Sequence, residues 1–285
     1  MVRSISKLNG YDRVINCMPD KSISVRAVLF NAFAVGRATV KNLLLSDDVL
    51  SAIACARALG ASVELDGDTA VISGAPFGGA TLDCGNSGTT ARLLIGLLSG
   101  LNGKYTITGD ESLSSRPMRR VTEPLARMGA RLADTDGRLP IAITGSRLHG
   151  IDYDMPVASA QVKSALMLAA LNASSPVTVR EPAPTRDHSE NMLAAMGARV
   201  KRGDGTVTIE QSVLRSKDIT VPGDISSAAY PICLALAVNG GKCTVKNVGI
   251  NPTRTGLIDV LRDCGADIEF SNVTTDVEPS ADITV

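Results

Sequence analysis

The chain has 285 residues, enough for two domains, and equal numbers of basic and acidic residues, 29 of each. A balanced charge gives no overall attraction for nucleic acid, and an aromatic content of 3% without tryptophan argues against base stacking. The six cysteines are widely spaced, and no apolar run reaches about 18 residues. We therefore expect a cytoplasmic chain without a nucleic-acid partner, a membrane association or a metal.

A Gly-Ala pair flanked by apolar residues recurs along the chain. The glycines stand at positions 60, 129, 197 and 265, so they are separated by 68 or 69 residues, which indicates an internal repeat. A short β-type run precedes each glycine by about twenty residues, at 38–42, 105–108, 177–180 and 243–247. Each repeat is predicted to contain a helix, a strand, a second helix, the Gly-Ala turn and a strand pair. The glycine is expected to end the second helix with a positive φ.

The first helix of every repeat is strongly apolar. The four helices are predicted at 26–34, 91–98, 165–171 and 228–238. Helices with so little polar surface should lie inside a domain, with the sheets outside them. The second helices carry more charge and are expected to be partly exposed. The strand pairs are predicted to be hairpins, for example 62–65 with 70–73 across a loop at 66–69.

Polar residues and glycines stand where the first helices begin, at 20–26, 86–89, 159–164 and 224–227. A helix start offers free N–H groups and the positive end of the helix dipole, which favour an anion. Arg116, Arg186 and Arg254 stand near the starts of the second helices, where guanidinium groups suit phosphate and carboxylate oxygens. Taken one at a time, these features are also compatible with ordinary N-caps and surface ion pairs.

At 20–26, 86–89, 114–118, 159–164 and 181–188 the sequence resembles the 5-enolpyruvylshikimate-3-phosphate synthase (3-phosphoshikimate 1-carboxyvinyltransferase) family. The resemblance implies an α/β fold of repeated βαβαββ units, three in each of two inside-out domains with buried helices and outer sheets. Residues 17–221 would form one complete domain. Residues 1–16 would be the opening strand of an incomplete domain, and 222–285 its first unit. The chain is accordingly expected to stop after the fourth of six units.

The activity implied by the resemblance is transfer of carboxyvinyl (enolpyruvyl) groups in the shikimate pathway, which leads to the aromatic amino acids. The enolpyruvyl group moves from phosphoenolpyruvate to the 5-hydroxyl of shikimate 3-phosphate, and phosphate is released. The family needs no cofactor and is usually monomeric, although an incomplete domain could associate. Its acid/base aspartate and glutamate belong to the fifth and sixth units, so we expect little or no turnover by this chain alone.

The resemblance also implies individual site residues. Contacts to shikimate 3-phosphate are expected from Lys21, Ser22, Arg26, Ser159, Ala160, Gln161, Thr185 and Arg186. Contacts to phosphoenolpyruvate are expected from Lys21, Asn86, Gly88, Arg116 and Gln161. Lys21 is the expected catalytic residue, because it would contact both substrates. Met18-Pro19 stand where the family usually has Pro-Gly, and Val25 where it has Asn or His, so the Lys21 loop could be shifted.

Three alternatives differ in what they require. A related enzyme that enolpyruvylates UDP-N-acetylglucosamine uses a cysteine in the loop corresponding to residues 110–116, where this chain has none. RNA-end-processing proteins built from similar units need a basic groove, which the neutral charge and scarce aromatics disfavour. A non-catalytic anion-binding fragment stays open, and it would bind shikimate 3-phosphate without turnover.

Overall fold

A computed structural model describes residues 10–285, so most of the expected opening strand, residues 1–9, lies outside the described residues. The chain divides into two compact units. The continuous unit is Lys21–Val221, and the composite unit joins residues 10–20 to 222–285. The domain boundaries expected after residues 16 and 221 stay a prediction. None of the helices within residues 10–285 has both the length and the apolar character needed to cross a membrane.

The composite unit begins with β1 (Asp12–Asn16). The continuous unit follows with α1 (Lys21–Phe33), β2 (Arg37–Lys41), α2 (Asp47–Ala58), β3 (Ser62–Asp66), β4 (Thr69–Ser73), β5 (Ala80–Asp83), α3 (Gly88–Ser99), β6 (Lys104–Thr108), α4 (Glu111–Ser114), α5 (Arg119–Arg127), β7 (Arg131–Thr135), β8 (Arg138–Thr144), β9 (Asp152–Asp154), α6 (Ala160–Ala170), β10 (Val177–Arg180), α7 (His188–Ala195), β11 (Val200–Gly203), β12 (Thr206–Ile209) and β13 (Ile219–Thr220). The composite unit resumes with α8 (Ile225–Ala237), β14 (Lys242–Gly249), α9 (Gly256–Asp263), β15 (Glu269–Thr274) and β16 (Ser280–Thr284). The short helix α4 was not predicted from the sequence.

Each repeat forms a four-stranded sheet with the same topology. The strand orders are β13-β2-β4-β3, β5-β6-β8-β7, β9-β10-β12-β11 and β1-β14-β16-β15. In every sheet the first strand is parallel to the second, and the remaining pairs are antiparallel. Two first strands come from distant parts of the chain. Ile219 of β13 pairs with Val40 of β2, and Asp12 of β1 pairs with Lys242 of β14. Both units therefore depend on a strand remote in sequence.

Three buried helices, α1, α3 and α6, form the interior of the continuous unit. The sheets direct alternate residues inwards, as Leu139, Ile141 and Ile143 of β8 show. Helices α3 and α6 are in close backbone contact at Gly96, where an added Cβ would overlap the carbonyl group of Ala165. The inside-out α/β arrangement predicted from the sequence is confirmed in this unit.

The predicted role of the Gly-Ala turns is also confirmed. Gly60, Gly129, Gly197 and Gly265 have φ angles of 108°, 92°, 90° and 90°, and each directly follows the C-cap residue of a second helix. The predicted loop at 66–69 is too long. Asp66 pairs with Thr69, so only Gly67 and Asp68 form the turn between β3 and β4.

The prediction that the first helix of the fourth repeat is buried on most faces is wrong. Helix α8 buries one stripe, Ile225, Ala228, Ile232 and Ala235, in the core of the composite unit. Tyr230 on the same helix is 81% exposed. In the continuous unit, helices from three repeats cover one another. Among the described residues of the composite unit, one such helix packs on one sheet.

Candidate functional site

The N-terminus of α3 is a helix end with a neutral cap. Ser87 caps it by accepting a hydrogen bond from the N–H of Thr90 at 3.3 Å, and the two hydroxyls lie 2.8 Å apart. The first turn contains no acidic residue. Gly85, with a φ of 52°, forms the turn between β5 and the cap. The helix dipole and the remaining N–H groups therefore favour an anion at this end.

Arg116 lies beside this helix start through a short hydrogen bond from its Nη2 to Oδ1 of Asn86. Asn86 in turn donates from Nδ2 to Oδ2 of Asp110 at 2.8 Å. Asp110 caps α4 by accepting from the N–H of Leu113 at 2.7 Å, and this bond together with that from Asn86 lowers the pKa of its carboxyl group. The order of these contacts places Asn86 between a charged carboxylate and the guanidinium group. The second helix, α5, begins at Arg119, three residues after Arg116, and the short helix α4 ends before Arg116.

Arg92 is a further candidate site residue, which was not predicted from the sequence. Its Nη1 donates to Oε1 of Gln161 at 2.8 Å and to the carbonyl of Gly88 at 3.3 Å, and its Nη2 donates to the carbonyl of Pro117 at 3.4 Å. Burial lowers the pKa of Arg92, and the nearby Arg116 and Arg120 lower it further. Guanidinium groups collected in this way attract an anion. The signal in the sequence was a single charge in an otherwise apolar helix, four residues after Gly88.

Helix α6 presents the second helix start. Ser159 caps it by accepting from the N–H of Val162 at 3.4 Å, and Ala160 is buried as its first residue. The side chain of Gln161 joins α6 to α3, because its Nε2 donates to Oγ1 of Thr89 at 3.0 Å while Oε1 accepts from Arg92. Gln161 is therefore held by two side chains of α3.

Helix α1 presents the third helix start. Arg186 donates from Nη1 to Oγ of Ser22 at 3.4 Å. Arg26 is 4% exposed and donates to the carbonyl of Ser22 at 3.0 Å, to Oγ of Ser164 at 3.1 Å and to Oγ of Ser189 at 2.8 Å. This network joins α1 to α6 and α7.

The predicted site residues thus form two hydrogen-bonded groups that share α6. The α3 group contains Asn86, Gly88, Arg116 and Gln161 together with Arg92. The α1 group contains Ser22, Arg26 and Arg186.

The remaining predicted residues adjoin these groups in sequence. Ser159 and Ala160 precede Gln161. Lys21 precedes Ser22, and its half-exposed ammonium pairs with Asp48 at 2.7 Å. The Thr185 hydroxyl donates to Oε1 of Glu181.

Lys163, Glu181 and Glu190 form a buried charge cluster near the α1 group. The Lys163 ammonium is 1% exposed and contacts Oε2 of Glu181 at 2.8 Å and Oε1 of Glu190 at 2.6 Å. Burial raises the pKa of Glu190 above its ordinary value of 4.5, although Lys163 opposes the shift. None of these three residues was predicted as a site residue from the sequence, because lysine and glutamate side chains are most often exposed.

The cluster predicts a pH dependence of stability. A raised pKa in the folded state means that the folded chain binds more protons than the unfolded chain, so this contribution stabilises at low pH. It declines as the pH rises above about 4.5 and through the folded-state pKa of Glu190. Glu190→Gln leaves Lys163 paired with Glu181, so the variant should gain stability relative to the original chain between pH about 5 and about 8.

Urea unfolding of Glu190→Gln and of the original chain at pH about 5 and about 8 measures the difference between their free energies of unfolding. Glu210→Gln, at an exposed glutamate paired with Arg199, is the matched control and should show no such trend. A Glu190→Gln difference that is constant with pH would contradict the prediction.

The fourth helix start differs from those of α3 and α6, whose caps are Ser87 and Ser159. Asp224 caps α8 by accepting from the N–H of Ser226 at 3.1 Å. Arg254 donates to Oδ1 of Asp224 at 3.2 Å and to Oγ of Ser226 at 2.7 Å. A carboxylate of the protein, paired with Arg254, therefore lies at this helix start. Within residues 10–285, no group of three or more His, Cys, Asp or Glu side chains could hold a metal ion.

Comparisons with known proteins identify the family. The EPSP synthase (3-phosphoshikimate 1-carboxyvinyltransferase) model matches residues 2–285. A protein of Citrifermentans bemidjiense named 3-phosphoshikimate 1-carboxyvinyltransferase is 48% identical over 275 residues, which cover 93% of this chain and 64% of that protein. A Bacillus velezensis protein of the same name is 46% identical over 293 residues, covering 99% and 67%. This chain therefore spans about two thirds of the length of these relatives.

A solved structure of EPSP synthase from Acinetobacter baumannii superposes with a TM-score of 0.91 at 41% identity, covering 96% of this chain and 64% of that one. The match extends along nearly the whole chain and agrees with the four repeated sheets described above. The chain belongs to the EPSP synthase (3-phosphoshikimate 1-carboxyvinyltransferase) family.

Proposed function

We propose that this chain binds shikimate 3-phosphate and contributes to enolpyruvyl transfer from phosphoenolpyruvate to the 5-hydroxyl of that substrate, with release of phosphate. The observation that carries the proposal is the combination of three helix starts, those of α1, α3 and α6, with guanidinium groups beside them. Both substrates are multiply anionic, which is the chemistry that helix N-termini and arginines select. The names of the relatives supply the substrate class.

For shikimate 3-phosphate we propose contacts from Ser22, Arg26, Ser159, Ala160, Gln161, Thr185 and Arg186. Hydroxyls and backbone N–H groups at the start of α6 would receive the phosphate, and Arg186 would reach it from beside Ser22. Arg26 already donates three hydrogen bonds within the protein, so its principal contribution is to hold Ser22 and α6 in place.

For phosphoenolpyruvate we propose contacts from Lys21, Asn86, Gly88, Arg116 and Gln161. Arg116 would hold the phosphate as a planar fork, and Asn86 would orient it. Lys21, half-exposed and paired only with Asp48 among the described contacts, would turn towards both substrates. A cation placed beside the developing charge of the departing phosphate lowers the barrier, which is the catalytic role proposed for Lys21.

The chemistry proposed for these residues involves no metal or organic cofactor. We propose the cytoplasm as the location. This proposal is supported by six free cysteines, three of them buried, which suit a reducing compartment.

Calorimetric titration of the chain with shikimate 3-phosphate tests the proposal. We expect saturable binding, and we expect unphosphorylated shikimate to bind at least about 100-fold more weakly, because the phosphate supplies the charge-assisted hydrogen bonds. Inorganic phosphate serves as the control for a site that recognises any anion. Absence of shikimate 3-phosphate binding, or equal affinity for shikimate, would overturn the proposal.

Replacing Gly88 by alanine should weaken phosphoenolpyruvate binding by about 10-fold, as expected for loss of one good contact. An added Cβ would lie 2.7 Å from Nη1 of Arg92 and 3.3 Å from Nη1 of Arg116, so both guanidinium groups must move. Stability should change by less than about 1 kcal/mol, because these side chains are flexible and alanine favours the helix.

Titration with phosphoenolpyruvate in the presence of shikimate 3-phosphate measures the affinity, and urea unfolding measures the stability. Gly78→Ala is the matched control, because an added Cβ there meets nothing within 4 Å. Equal affinities of both variants for phosphoenolpyruvate would show that the two arginines do not contribute to this site.

A further inference from the structure

The buried charge cluster of Lys163, Glu181 and Glu190 has no part in the substrate contacts proposed above. Its three side chains are 1%, 11% and 3% exposed. One ammonium between two carboxylates is costly to bury, and well-packed apolar side chains of similar volume often stabilise a protein as well or better. The cluster therefore requires an explanation other than stability.

Glu181 connects the cluster to the loop between β10 and α7. Its Oε2 contacts Lys163 at 2.8 Å, and its Oε1 accepts from the hydroxyl of Thr185. The three residues between them, 182–184, are exposed. The Glu181 carboxylate therefore joins the two ends of this exposed segment and links them to the buried Lys163.

The loop carries Arg186 to α1. Arg186 directly follows Thr185 in sequence and donates to Oγ of Ser22 at 3.4 Å. A continuous series of contacts accordingly runs from Lys163 through Glu181 and Thr185 to the arginine beside the α1 helix start.

We propose that Glu181, anchored by Lys163, is a positioning residue that holds the 181–187 loop so that Arg186 faces the phosphorylated substrate. This inference rests on the proposed function, in which Arg186 binds shikimate 3-phosphate. Glu190 also forms an ion pair with Lys163, so the Glu181 side chain can be altered without leaving the buried ammonium unpaired.

Two substitutions at one position separate positioning from folding. Glu181→Leu removes the acceptor of the Thr185 hydroxyl while Lys163 keeps Glu190. Glu181→Gln keeps a link, because its carbonyl oxygen can accept from Lys163 and its amide can donate to the Thr185 hydroxyl. Glu210→Leu, at an exposed glutamate of the same unit, is the control for loss of a carboxylate.

Affinity for shikimate 3-phosphate is the first measurement. Glu181→Leu should weaken binding by about 10-fold or more, the effect of losing a hydrogen bond to a charged group. Glu181→Gln should restore binding to within about 3-fold of the original chain, and Glu210→Leu should leave it unchanged. Unaltered affinity in Glu181→Leu would overturn the inference.

Amide hydrogen exchange is the second measurement and needs no ligand. Exchange within 183–187 should become faster in Glu181→Leu and should not change in Glu181→Gln, with α3 unaffected in both. If the original chain fails to bind shikimate 3-phosphate, the proposed function is contradicted. The exchange pattern expected for the two Glu181 variants would still support the role of Glu181 in positioning Arg186. Faster exchange throughout the continuous unit, or none in the loop, would overturn the positioning role.

Discussion

Alanine at Gly96 should destabilise the continuous unit by about 3 kcal/mol or more. The α3 and α6 backbones touch at this residue, and a Cβ there would overlap the carbonyl of Ala165 and lie 2.7 Å from its Cα. Neither helix can yield by rotating a side chain, because the obstructing atoms are backbone. The helices must separate, which opens a close-packed interior.

Urea unfolding of Gly96→Ala beside Gly78→Ala measures this effect. Gly78 has no atom within 4 Å of an added Cβ and no positive φ, so its substitution should change the unfolding free energy by no more than about 0.5 kcal/mol. Separation of α3 from α6 should also weaken shikimate 3-phosphate binding, since Gln161 is held between them. Equal unfolding midpoints for the two variants would contradict the close approach.

The second large effect is expected from Arg26→Met. The guanidinium group of Arg26 is buried and serves three acceptors on α1, α6 and α7. Its removal leaves the buried hydroxyls of Ser164 and Ser189 and the carbonyl of half-buried Ser22 without this donor, at a cost of about 2–4 kcal/mol. Shikimate 3-phosphate binding should fall by about 100-fold, because Ser22 and the start of α6 lose their common support.

Arg26→Lys should recover little, because a single ammonium cannot donate along the three directions of the guanidinium group. Arg199→Met, at an exposed arginine paired with Glu210 at 2.8 Å, is the matched control and should cost less than about 1 kcal/mol. Unfolding curves and titrations on the same preparations distinguish loss of folding from loss of binding. A stable, tightly binding Arg26→Met chain would contradict both parts of the prediction.

The repeats share an architecture but differ at their helix starts, and this difference localises the proposed binding surface. In the continuous unit, the caps of α3 and α6 are the neutral Ser87 and Ser159. In the composite unit, the cap of α8 is Asp224, which Arg254 neutralises. An acidic cap with its arginine partner therefore compensates the dipole of α8 within the protein, whereas the serine caps of α3 and α6 carry no charge.

Local requirements made much of the fold predictable. A glycine must end each second helix with a positive φ, so the Gly-Ala pairs revealed the repeat without any knowledge of contacts. Apolar residues on most faces of α1, α3 and α6 predicted burial, which the structure confirms. The family resemblance implied Asn86, Gly88, Arg116 and Gln161 as site residues, and the structure brings these four residues together with Arg92.

The sequence by itself thus determined the repeat, the class of each element and the residue types at the helix starts, because these depend on neighbours along the chain. Only the tertiary structure decided that β13 completes the first sheet, whereas the pairing of β1 with the fourth repeat agrees with what the family resemblance implied. It also decided that α8 exposes Tyr230, that Arg92 holds Gln161 and that Lys163 pairs with Glu181 and Glu190. Burial and pairing of a side chain depend on segments distant in sequence. The apolar first helix of a repeat is therefore buried where helices of three repeats pack together, and it is half-exposed where, among the described residues, it packs on one sheet.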